Sequence, residues 1–498
     1  MRSLMVVGTT SHAGKSLLTA AICRLLVRQG WRVSPFKGQN MALNSYVTAS
    51  GGEIGYAQAV QAWAAGIKPR IEMNPILLKP QGNMTSQVIL GGRVIGTTSA
   101  EDYYEKFFQR GWAAIVESIQ CLSQDFDFLV CEGAGSPAEI NLKHRDLTNM
   151  RIAKHLQAPT LLVVDIDRGG AFAHVVGTLA LLDPEERALV KGVVINKFRG
   201  RKSILDPGLT WLEEYTGIPV LGVIPWVDQV FPSEDSLDLL ERRGRQKQAE
   251  LTIGVIRFPH ISNFTDFDPL EAEPSVRVRY IGLGDELAYP DAIVLPGSKT
   301  TIADLLALQE TGLARKIQDY AAAGGTVLGV CGGFQMMGQD IIDPEGVEGY
   351  EGRFPGLQLL PLRTYFGARK ITRQRQVTSR YPQDGLPVQG YELHQGSSKV
   401  LAPDARSAGM AAAEELFDEP GLGLVSESQA VWGTYLHGVF DNGPWRRAWL
   451  NRLRQQRGLK ALPTGISNYR TEREAMLDRL ADVVAEHLDL EPLLKPVS

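Results

Sequence analysis

The sequence has few cysteines, no excess of basic over acidic residues and no long apolar runs. Its 498 residues include only four cysteines, Cys23, Cys121, Cys131 and Cys331, and no CxxC pair. This scarcity argues against a disulfide framework or a zinc site and predicts a reducing compartment, where any special cysteine would be catalytic. The 52 basic and 56 acidic residues give a net charge of −4. Because there is no basic excess, we predict no nucleic-acid partner.

No apolar run approaches the ~20 residues that a membrane-spanning helix needs. The N-terminal residues LMVVG lead directly into a glycine-rich loop and show no signal-peptide pattern. We therefore expect a soluble, cytoplasmic protein without a membrane partner. A chain of this length is too long to fold around a single hydrophobic core, so two or three domains are expected.

Short apolar runs alternate with stretches of helical spacing. The first series of runs lies at residues 4–7, 128–131, 160–165, 192–196 and 220–224, and the second at 251–256, 292–295, 326–330 and 430–435. Helical spacing is clear at residues 16–29 and 151–156. This alternation predicts an α/β fold in which each domain has a buried parallel sheet covered by helices.

Composition divides the chain into four segments. We place one domain at residues 1–232, a charged linker at 233–250, a second domain at 251–445 and a helical extension at 446–498. The linker, SEDSLDLLERRGRQKQAE, has few large apolar residues. In the extension, Leu477, Leu480, Val484 and Leu488 follow helical spacing on one stripe.

The clearest motif of the first domain is a glycine loop between a predicted strand and a predicted helix. It contains Gly8, Thr9, Thr10, Gly14, Lys15 and Ser16. Glycines let the backbone wrap a phosphate, and the helix N-terminus offers free N–H donors. Lys15 would reach the β- and γ-phosphates and Ser16 would ligate Mg²⁺, so the motif predicts ATP and Mg²⁺ as cofactors. Five residues separate the two glycines instead of the usual four, as in the dethiobiotin synthetase group of ATP-dependent ligases.

Polar residues follow three strands of the first domain, where ligands of an open parallel sheet gather. Glu132 is the candidate carboxylate for Mg²⁺ beside Ser16, and Asp165 is a candidate for metal or substrate. Either residue could equally cap a helix. Asn196 follows a strand at a position where an asparagine can bind the adenine base of a nucleotide. An equal alternative is that Asn196 only forms the turn at the end of that strand.

The segment PFKGQNMALNS, residues 35–45, concentrates amides where a second strand should meet the phosphate site. Its Lys37, Gln39, Asn40 and Asn44 are candidates for binding a polar substrate that carries amides or carboxylates. A hydrogen-bonded loop is the structural alternative.

The second domain carries a nucleophile elbow with cysteine in place of serine. Cys331 follows an apolar strand and precedes Gly332 and a helical run. Small neighbours permit the strained turn that exposes the thiol, and the helix N-terminus favours the thiolate. The N–H of Gly332 would be one oxyanion donor, and the second should come from the Pro296-Gly297-Ser298 turn.

A thiol nucleophile needs a base, and the chain offers two candidates. We favour His437, which follows a strand well downstream of Cys331, over His394. His394 and Glu392 are assigned to structure or to the contact between domains.

The chain resembles the cobyric acid synthases, the glutamine-dependent amidases of cobalamin biosynthesis, nearly end to end. The most specific motifs are PFKGQNMALNS, EIGYAQAVQAWAAG, MNPILLKP, EGAGSPAEINL, VDIDRGGAFA, CGGFQMMG and YLHGVFDN. The resemblance implies amidation of the b, d, e and g side chains of adenosylcobyrinic acid a,c-diamide, with one ATP and one L-glutamine per amide. It also implies Glu53 as a second magnesium carboxylate.

Two other functions stay open at the level of sequence. One is the related cobyrinic acid a,c-diamide synthase, which differs around residues 38–45. The other is a P-loop ATPase switch, although such proteins carry an early loop lysine where this chain has Thr9 and Thr10.

The site departs from the wider amidotransferase pattern at one position. Most class I members have a glutamate two residues after the histidine, but this chain has Val439. The sequence therefore predicts a Cys–His pair, with Asp441 as a guess for the residue that orients His437. It makes no prediction of the oligomeric state.

Overall fold

A computed structural model describes residues 1–81, 84–99, 102–103, 107–227, 249–401 and 412–494. A six-stranded sheet lies at the centre of the first half. In order across the sheet its strands are Val220–Pro225, Val190–Phe198, Thr160–Asp165, Arg2–Gly8, Phe128–Glu132 and Val33–Phe36. All neighbouring pairs are parallel. The predicted α/β class with a buried parallel sheet is thus confirmed.

Helices cover both faces of this sheet, which is why every residue of Phe128–Glu132 is buried. The helices of the first half are Lys15–Arg28, Tyr56–Ala64, Phe108–Asp125, Met150–Leu156, Ala171–Leu181, Pro184–Leu189 and Lys202–Thr216, with 3₁₀ turns at Ile71–Met73 and Lys143–Arg145.

Two small sheets that the sequence did not predict extend from the first half. One contains the strands Gln39–Met41, Ile76–Gln81, Thr85–Leu90 and Arg93–Ser99. The other is a hairpin of Ser45–Val47 and Glu53–Gly55. The hairpin lies against the second half of the chain, as its hydrogen bonds described below show.

The second half is built on a seven-stranded sheet. Its order is Val276–Gly282, Leu251–Arg257, Ala292–Leu295, Thr326–Val330, Val431–Thr434, Gly423–Ser426 and Ala413–Glu415. The first five strands are parallel, and the last two add antiparallel at the edge. A second sheet has the order Gly352–Pro355, Asp340–Asp343, Leu362–Thr378, Pro387–Val400 and Leu436–His437, and Ile261–Ser262 pairs with Gly297–Ser298.

The described residues of the second half contain seven helices, the last two of which pack on the first half of the chain. They are Asp268–Glu271, Thr301–Glu310, Leu313–Ala322, Gly332–Met336, Gly443–Gln456, Tyr469–His487 and Glu491–Leu494, with 3₁₀ turns at Phe264–Phe267 and Val439–Asp441. None of the helices in the described ranges is long and apolar enough to cross a membrane. Residues 233–248 of the proposed linker lie outside the described residues.

The helix Tyr469–His487 returns to the first half and packs on Lys15–Arg28. The predicted stripe residues Leu477, Leu480, Val484 and Leu488 are all buried in the core cluster that contains Leu18 and Ile22. Ion pairs join the solvent-facing edges of the two helices. Arg28 binds Asp482 at 2.6 Å and Asp478 at 2.8 Å, and Arg24 binds Glu474.

Candidate active sites

The loop after the strand Arg2–Gly8 is folded tightly against its neighbours. Gly14 adopts a left-handed conformation with φ 100°, and a Cβ atom there would lie 2.0 Å from Nδ2 of Asn196. Nδ2 of Asn196 in turn donates a 2.8 Å hydrogen bond to the carbonyl of Ala13. A Cβ on Gly8 would lie 3.1 Å from Nζ of Lys15. A side chain at Gly8 or Gly14 would therefore crowd neighbouring atoms of the loop or of Asn196, and the hydrogen bond from Asn196 stabilises the loop.

The loop residues Thr9, Thr10 and Lys15 have the arrangement of a phosphate site. Lys15 Nζ donates 3.0 Å hydrogen bonds to the carbonyls of Thr10 and Gly135. Oγ1 of Thr9 is buried with no hydrogen-bond partner in the described part of the chain. An unsatisfied buried hydroxyl beside a helix N-terminus fits an anionic group with several acceptor oxygens.

Ser16 and Glu132, the predicted magnesium ligands, lie in contact. Ser16 Oγ donates to Oε1 of Glu132 at 2.7 Å, and Lys37 Nζ binds the same oxygen at 2.8 Å. Gln61 donates to the other carboxylate oxygen. In the described residues no cluster of three or more His, Cys, Asp or Glu side chains is present. A serine hydroxyl and one carboxylate still suit Mg²⁺, which takes most of its ligands from phosphate and water.

The remaining polar candidates of the first half occupy different places. Asp165 lies at its strand end, where Oδ2 binds Lys197 Nζ at 2.8 Å. The three amide side chains of residues 39–44 are all hydrogen-bonded. Gln39 accepts from the Tyr103 hydroxyl at 2.6 Å, and Asn40 donates to Gln58 at 3.0 Å. The side-chain oxygen of Asn44 accepts the backbone N–H of Phe264 at 3.1 Å. Asn44 therefore contacts the second half of the chain.

Glu53 does not join Ser16 and Glu132. Oε1 accepts from Lys79 Nζ and Ser45 Oγ, each at 2.9 Å, and Oε2 binds Lys370 Nζ at 2.5 Å. Both oxygens are thus held by lysines, one of which belongs to the second half. Lys79 and Lys370 also line the cavity that contains Cys331, so the hairpin holds Glu53 beside that cavity, and its role as a second magnesium carboxylate stays a prediction.

Cys331 has strained backbone angles, φ 53° and ψ −109°, between the strand Thr326–Val330 and the helix Gly332–Met336. Such a conformation is costly for a side-chain-bearing residue and is typical of a nucleophile elbow. A Cβ atom on Gly332 would lie 2.9 Å from the backbone nitrogen of Ser298. The structure therefore brings Gly332 against the Gly297–Ser298 strand, as predicted for the two oxyanion donors.

His437 lies on the short strand Leu436–His437 and is almost fully buried. Its Nδ1 is 2.7 Å from Oδ2 of Asp266, and the thiol of Cys331 is a further partner. Burial alone lowers the pKa of His437, but the charge and hydrogen bond of Asp266 and the contact with Cys331 raise it to about 10. Because Asp266 holds Nδ1, Nε2 is the nitrogen left for the thiol.

Asp266, which sequence reasoning missed, orients His437 in place of Asp441. Its second oxygen accepts the N–H of Gly438 at 2.9 Å. Asp441 instead lies 3.6 Å from Arg473. The available signal was a polar turn, NFTDFD, shortly after the first strand of the second domain. That signal could not single out one carboxylate, since 171 residues separate Asp266 from His437.

A cavity in front of Cys331 is lined by charged residues from both halves of the chain, including Lys79, Lys299 and Glu348. Burial lowers the pKa of Lys299 to about 8 and raises that of Glu348 to about 7. Oε2 of Glu348 also accepts the N–H of Thr301 at 2.6 Å. One partly buried cation and one partly buried acid beside a thiol match the two charged groups of a free amino acid.

The rival pair His394 and Glu392 has structural partners. His394 stacks on Tyr435 with ring centroids 3.8 Å apart, and its Nδ1 lies 3.1 Å from the carbonyl of Gly396. Glu392 is bound by Arg373 at 2.9 Å and by Arg375 at 2.8 Å. His394 nevertheless lines the cavity in front of Cys331.

A glycine loop of the phosphate-binding type in the first half and a Cys331 cavity lined by Lys299 and Glu348 in the second are typical of a glutamine amidotransferase of the ligase class, and the family matches place the chain in it. Residues 4–239 match the CobQ/CobB/MinD/ParA nucleotide binding domain, and residues 252–445 match the CobB/CobQ-like glutamine amidotransferase domain.

Curated relatives define the family more narrowly. The chain is 69% identical over 494 residues to cobyric acid synthases of Nostoc sp. (strain PCC 7120) and Synechococcus elongatus, covering 99% of this chain and 99% of each relative. It is 64% identical over 497 residues to that of Crocosphaera subtropica, covering 99% and 100%. The chain belongs to the cobyric acid synthase family.

Proposed function

We propose that this protein amidates the b, d, e and g carboxylates of adenosylcobyrinic acid a,c-diamide, using one ATP and one L-glutamine for each amide. The observation that carries the two-site reaction is the cavity of Cys331, which residues of the nucleotide-binding half, Lys79 and Gln87, help to line. The corrinoid substrate is supported by the full-length relatives, whose names are cobyric acid synthase.

The nitrogen half of the reaction uses Cys331 and His437. The Cys331 sulfur attacks the glutamine amide carbon, and the N–H groups of Gly332 and the Gly297–Ser298 turn stabilise the oxyanion. His437, held as a proton donor by Asp266, gives its proton to the amide nitrogen of the tetrahedral intermediate, which leaves as ammonia while the thioester forms. Water then hydrolyses the thioester and releases glutamate.

In the other half the chain holds the nucleotide and orients the carboxylate. Thr9, Thr10, Gly14 and Lys15 would hold the phosphates, and Ser16 with Glu132 would hold Mg²⁺. When bound, ATP activates the carboxylate as an acyl phosphate, because an oxide ion is too poor a leaving group for ammonia to displace. Lys37, beside Glu132, and the amides of Gln39, Asn40 and Asn44 are our candidates for contacts to the corrinoid.

Two competing functions predict different products. A cobyrinic acid a,c-diamide synthase would amidate the a and c carboxylates, which the proposed substrate already carries as amides. A P-loop ATPase switch would amidate nothing, and the elbow at Cys331 with its His437–Asp266 pair argues against it.

The test is mass spectrometry of adenosylcobyrinic acid a,c-diamide incubated with enzyme, Mg-ATP and glutamine. We expect four successive carboxyl-to-amide conversions in the wild type. Cys331→Ala should lose the reaction with glutamine and recover it with ammonium. An absence of amidation with either nitrogen source would overturn the corrinoid assignment.

A further inference from the structure

One connection between the N-terminal hairpin and the catalytic pair of the second half is made by the backbone N–H and carbonyl of Ser45, called the Ser45 peptide below. The Ser45 N–H donates to Oδ1 of Asn263 at 3.2 Å, and Nδ2 of Asn263 returns a 3.3 Å bond to the Ser45 carbonyl. Tyr391 Oη donates to the same carbonyl at 3.1 Å. All three side chains are buried, so these bonds form without competition from water.

Asn263 is connected to His437 through Asp266, and Tyr391 contacts His437 directly. Asn263, at φ 51°, caps the 3₁₀ turn Phe264–Phe267, and its carbonyl accepts the N–H of Asp266 at 3.0 Å. Asp266 then holds Nδ1 of His437. The ring of Tyr391 stacks on the imidazole, with centroids 5.3 Å apart and planes 21° apart. The Ser45 peptide therefore supports both the partner and one face of His437.

The other end of this connection lies at the phosphate and magnesium residues. Ser45 pairs with Gly55 across the hairpin. Oδ1 of Asn74 accepts the Gly55 N–H at 3.0 Å, while Nδ2 of Asn74 donates to the Lys37 carbonyl, also at 3.0 Å. The Lys37 side chain binds Glu132. Hydrogen bonds of buried groups thus connect Lys37 to the hairpin, so that a movement of Lys37 would also move the hairpin.

We propose that Asn263 and Tyr391 are positioning residues through which the Ser45 peptide couples occupancy of the synthetase site to glutaminase turnover at His437. The proposal rests on the proposed function for the identity of the two sites. Such coupling would limit the loss of ammonia to solvent, because glutamine is hydrolysed fastest when an activated carboxylate is bound at the synthetase site.

The test compares Tyr391→Phe and Asn263→Gly with the wild type. Tyr391→Phe keeps the ring on His437 and removes the hydroxyl. Asn263→Gly keeps the positive φ and removes the two side-chain contacts to Ser45 together with the 3.3 Å bond from Nδ2 to the Tyr391 hydroxyl. Glutamate release is measured with glutamine alone, with Mg-ATP added, and with Mg-ATP and the corrinoid. We expect wild-type kcat to rise about fivefold or more with the ligands, and each variant to respond less than about twofold. The KM for glutamine should change little in Tyr391→Phe, whereas Asn263 lines the Cys331 cavity and its variant is judged by the ligand response of kcat.

Thr372→Val is the matched control, because Thr372 Oγ1 donates to the Gly51 carbonyl of the same hairpin at 2.7 Å but has no contact with His437 or Asp266. It should respond to ligands as the wild type does. Ammonium-dependent amidation should persist in all three variants, which shows that the synthetase site is folded.

The proposal would be overturned if glutamate release in the wild type did not respond to the ligands, or if Tyr391→Phe and Asn263→Gly responded fully. It would also be overturned if Thr372→Val lost the response to the same extent, or if Tyr391→Phe and Asn263→Gly lost ammonium-dependent amidation in parallel. Failure of the wild type to amidate the corrinoid with ammonium would instead count against the proposed function. The response of glutamate release to Mg-ATP alone would still decide the coupling in that case.

Discussion

The most informative single contact in the molecule is the one between Asp266 and His437. A buried carboxylate 2.7 Å from Nδ1 selects the tautomer and stabilises the imidazolium, the form that in the proposed reaction gives a proton to the leaving amide nitrogen. The local sequence around His437, with Val439 at the usual glutamate position, suggests a dyad. The structure supplies the third group from a turn at the opposite end of the domain.

Asp266→Asn tests this assignment through the pH profile. With its pKa raised to about 10, His437 stays protonated at neutral pH, so the alkaline limb of kcat at saturating glutamine should lie near that value. Removing the charge lowers the histidine pKa, so the limb should move toward neutral pH. We expect kcat to fall on the order of 10²-fold.

Asp441→Asn is the control for Asp266→Asn, because Asp441 contacts Arg473 and not His437. Its alkaline limb should match that of the wild type. An unchanged limb in Asp266→Asn, or an equal displacement in Asp441→Asn, would refute the role of Asp266.

At the scale of elements, the helix Tyr469–His487 is a structural part of the nucleotide-binding half although it is encoded at the end of the chain. Its apolar stripe completes the core that lies under Lys15–Arg28, the helix whose N-terminus faces the phosphate loop. The periodicity of the stripe predicts a buried face, but it does not say which surface covers that face.

Leu480→Ala should destabilise the nucleotide-binding half. Leu480 is fully buried, and its truncation leaves a cavity that costs on the order of 3 kcal/mol. Thermal unfolding should show a lower melting temperature that Mg-ATP partly restores. Arg479→Ala, one position earlier and exposed, should melt as the wild type does. Because alanine is the best helix former, neither change weakens helix propensity, and equal losses in the two variants would show that the burial of Leu480 is not the cause.

At the scale of the whole molecule, the hairpin Ser45–Val47 and Glu53–Gly55 joins the halves by buried polar groups. Burial alone raises the pKa of Glu53, but the charges of Lys370 and Lys79 lower it well below its usual range. A depressed carboxyl pKa stabilises the fold above the ordinary value of 4.5, and the stabilisation is lost as pH falls toward the folded pKa.

Glu53→Gln separates the ion-pair role of Glu53 from the magnesium role. It leaves the buried Lys79 and Lys370 without their counter-charge, which should cost on the order of 3 kcal/mol and lower the melting temperature. The Mg²⁺ concentration for half-maximal ammonium-dependent amidation should not change. A raised Mg²⁺ requirement with unchanged melting would favour metal ligation. Asp127→Asn, which breaks the exposed pair with Arg32, should leave the melting temperature as it is.

Local patterns predicted much of this fold because they depend on a few consecutive residues. A buried parallel strand needs a short apolar run, so residues 160–165 and 326–330 are strands as predicted. A loop such as Gly8–Ser16 or an elbow such as Cys331–Gly332 is readable because strand, turn and helix follow one another directly. The small sheet containing Gln39–Met41 was not predicted, since its strands are short, polar and paired with segments far along the chain.

The sequence by itself determined the two α/β halves, the phosphate loop, the thiol elbow and the apolar stripe of the last long helix. Only the tertiary structure decided that Asp266 orients His437, that Glu53 pairs with Lys370, and that the Ser45 peptide lies between Asn263 and Tyr391. The physical reason is that periodicity and turn chemistry act over one element. The partner of a buried polar group is instead chosen by whichever distant segment the packing of the whole chain brings within hydrogen-bond distance.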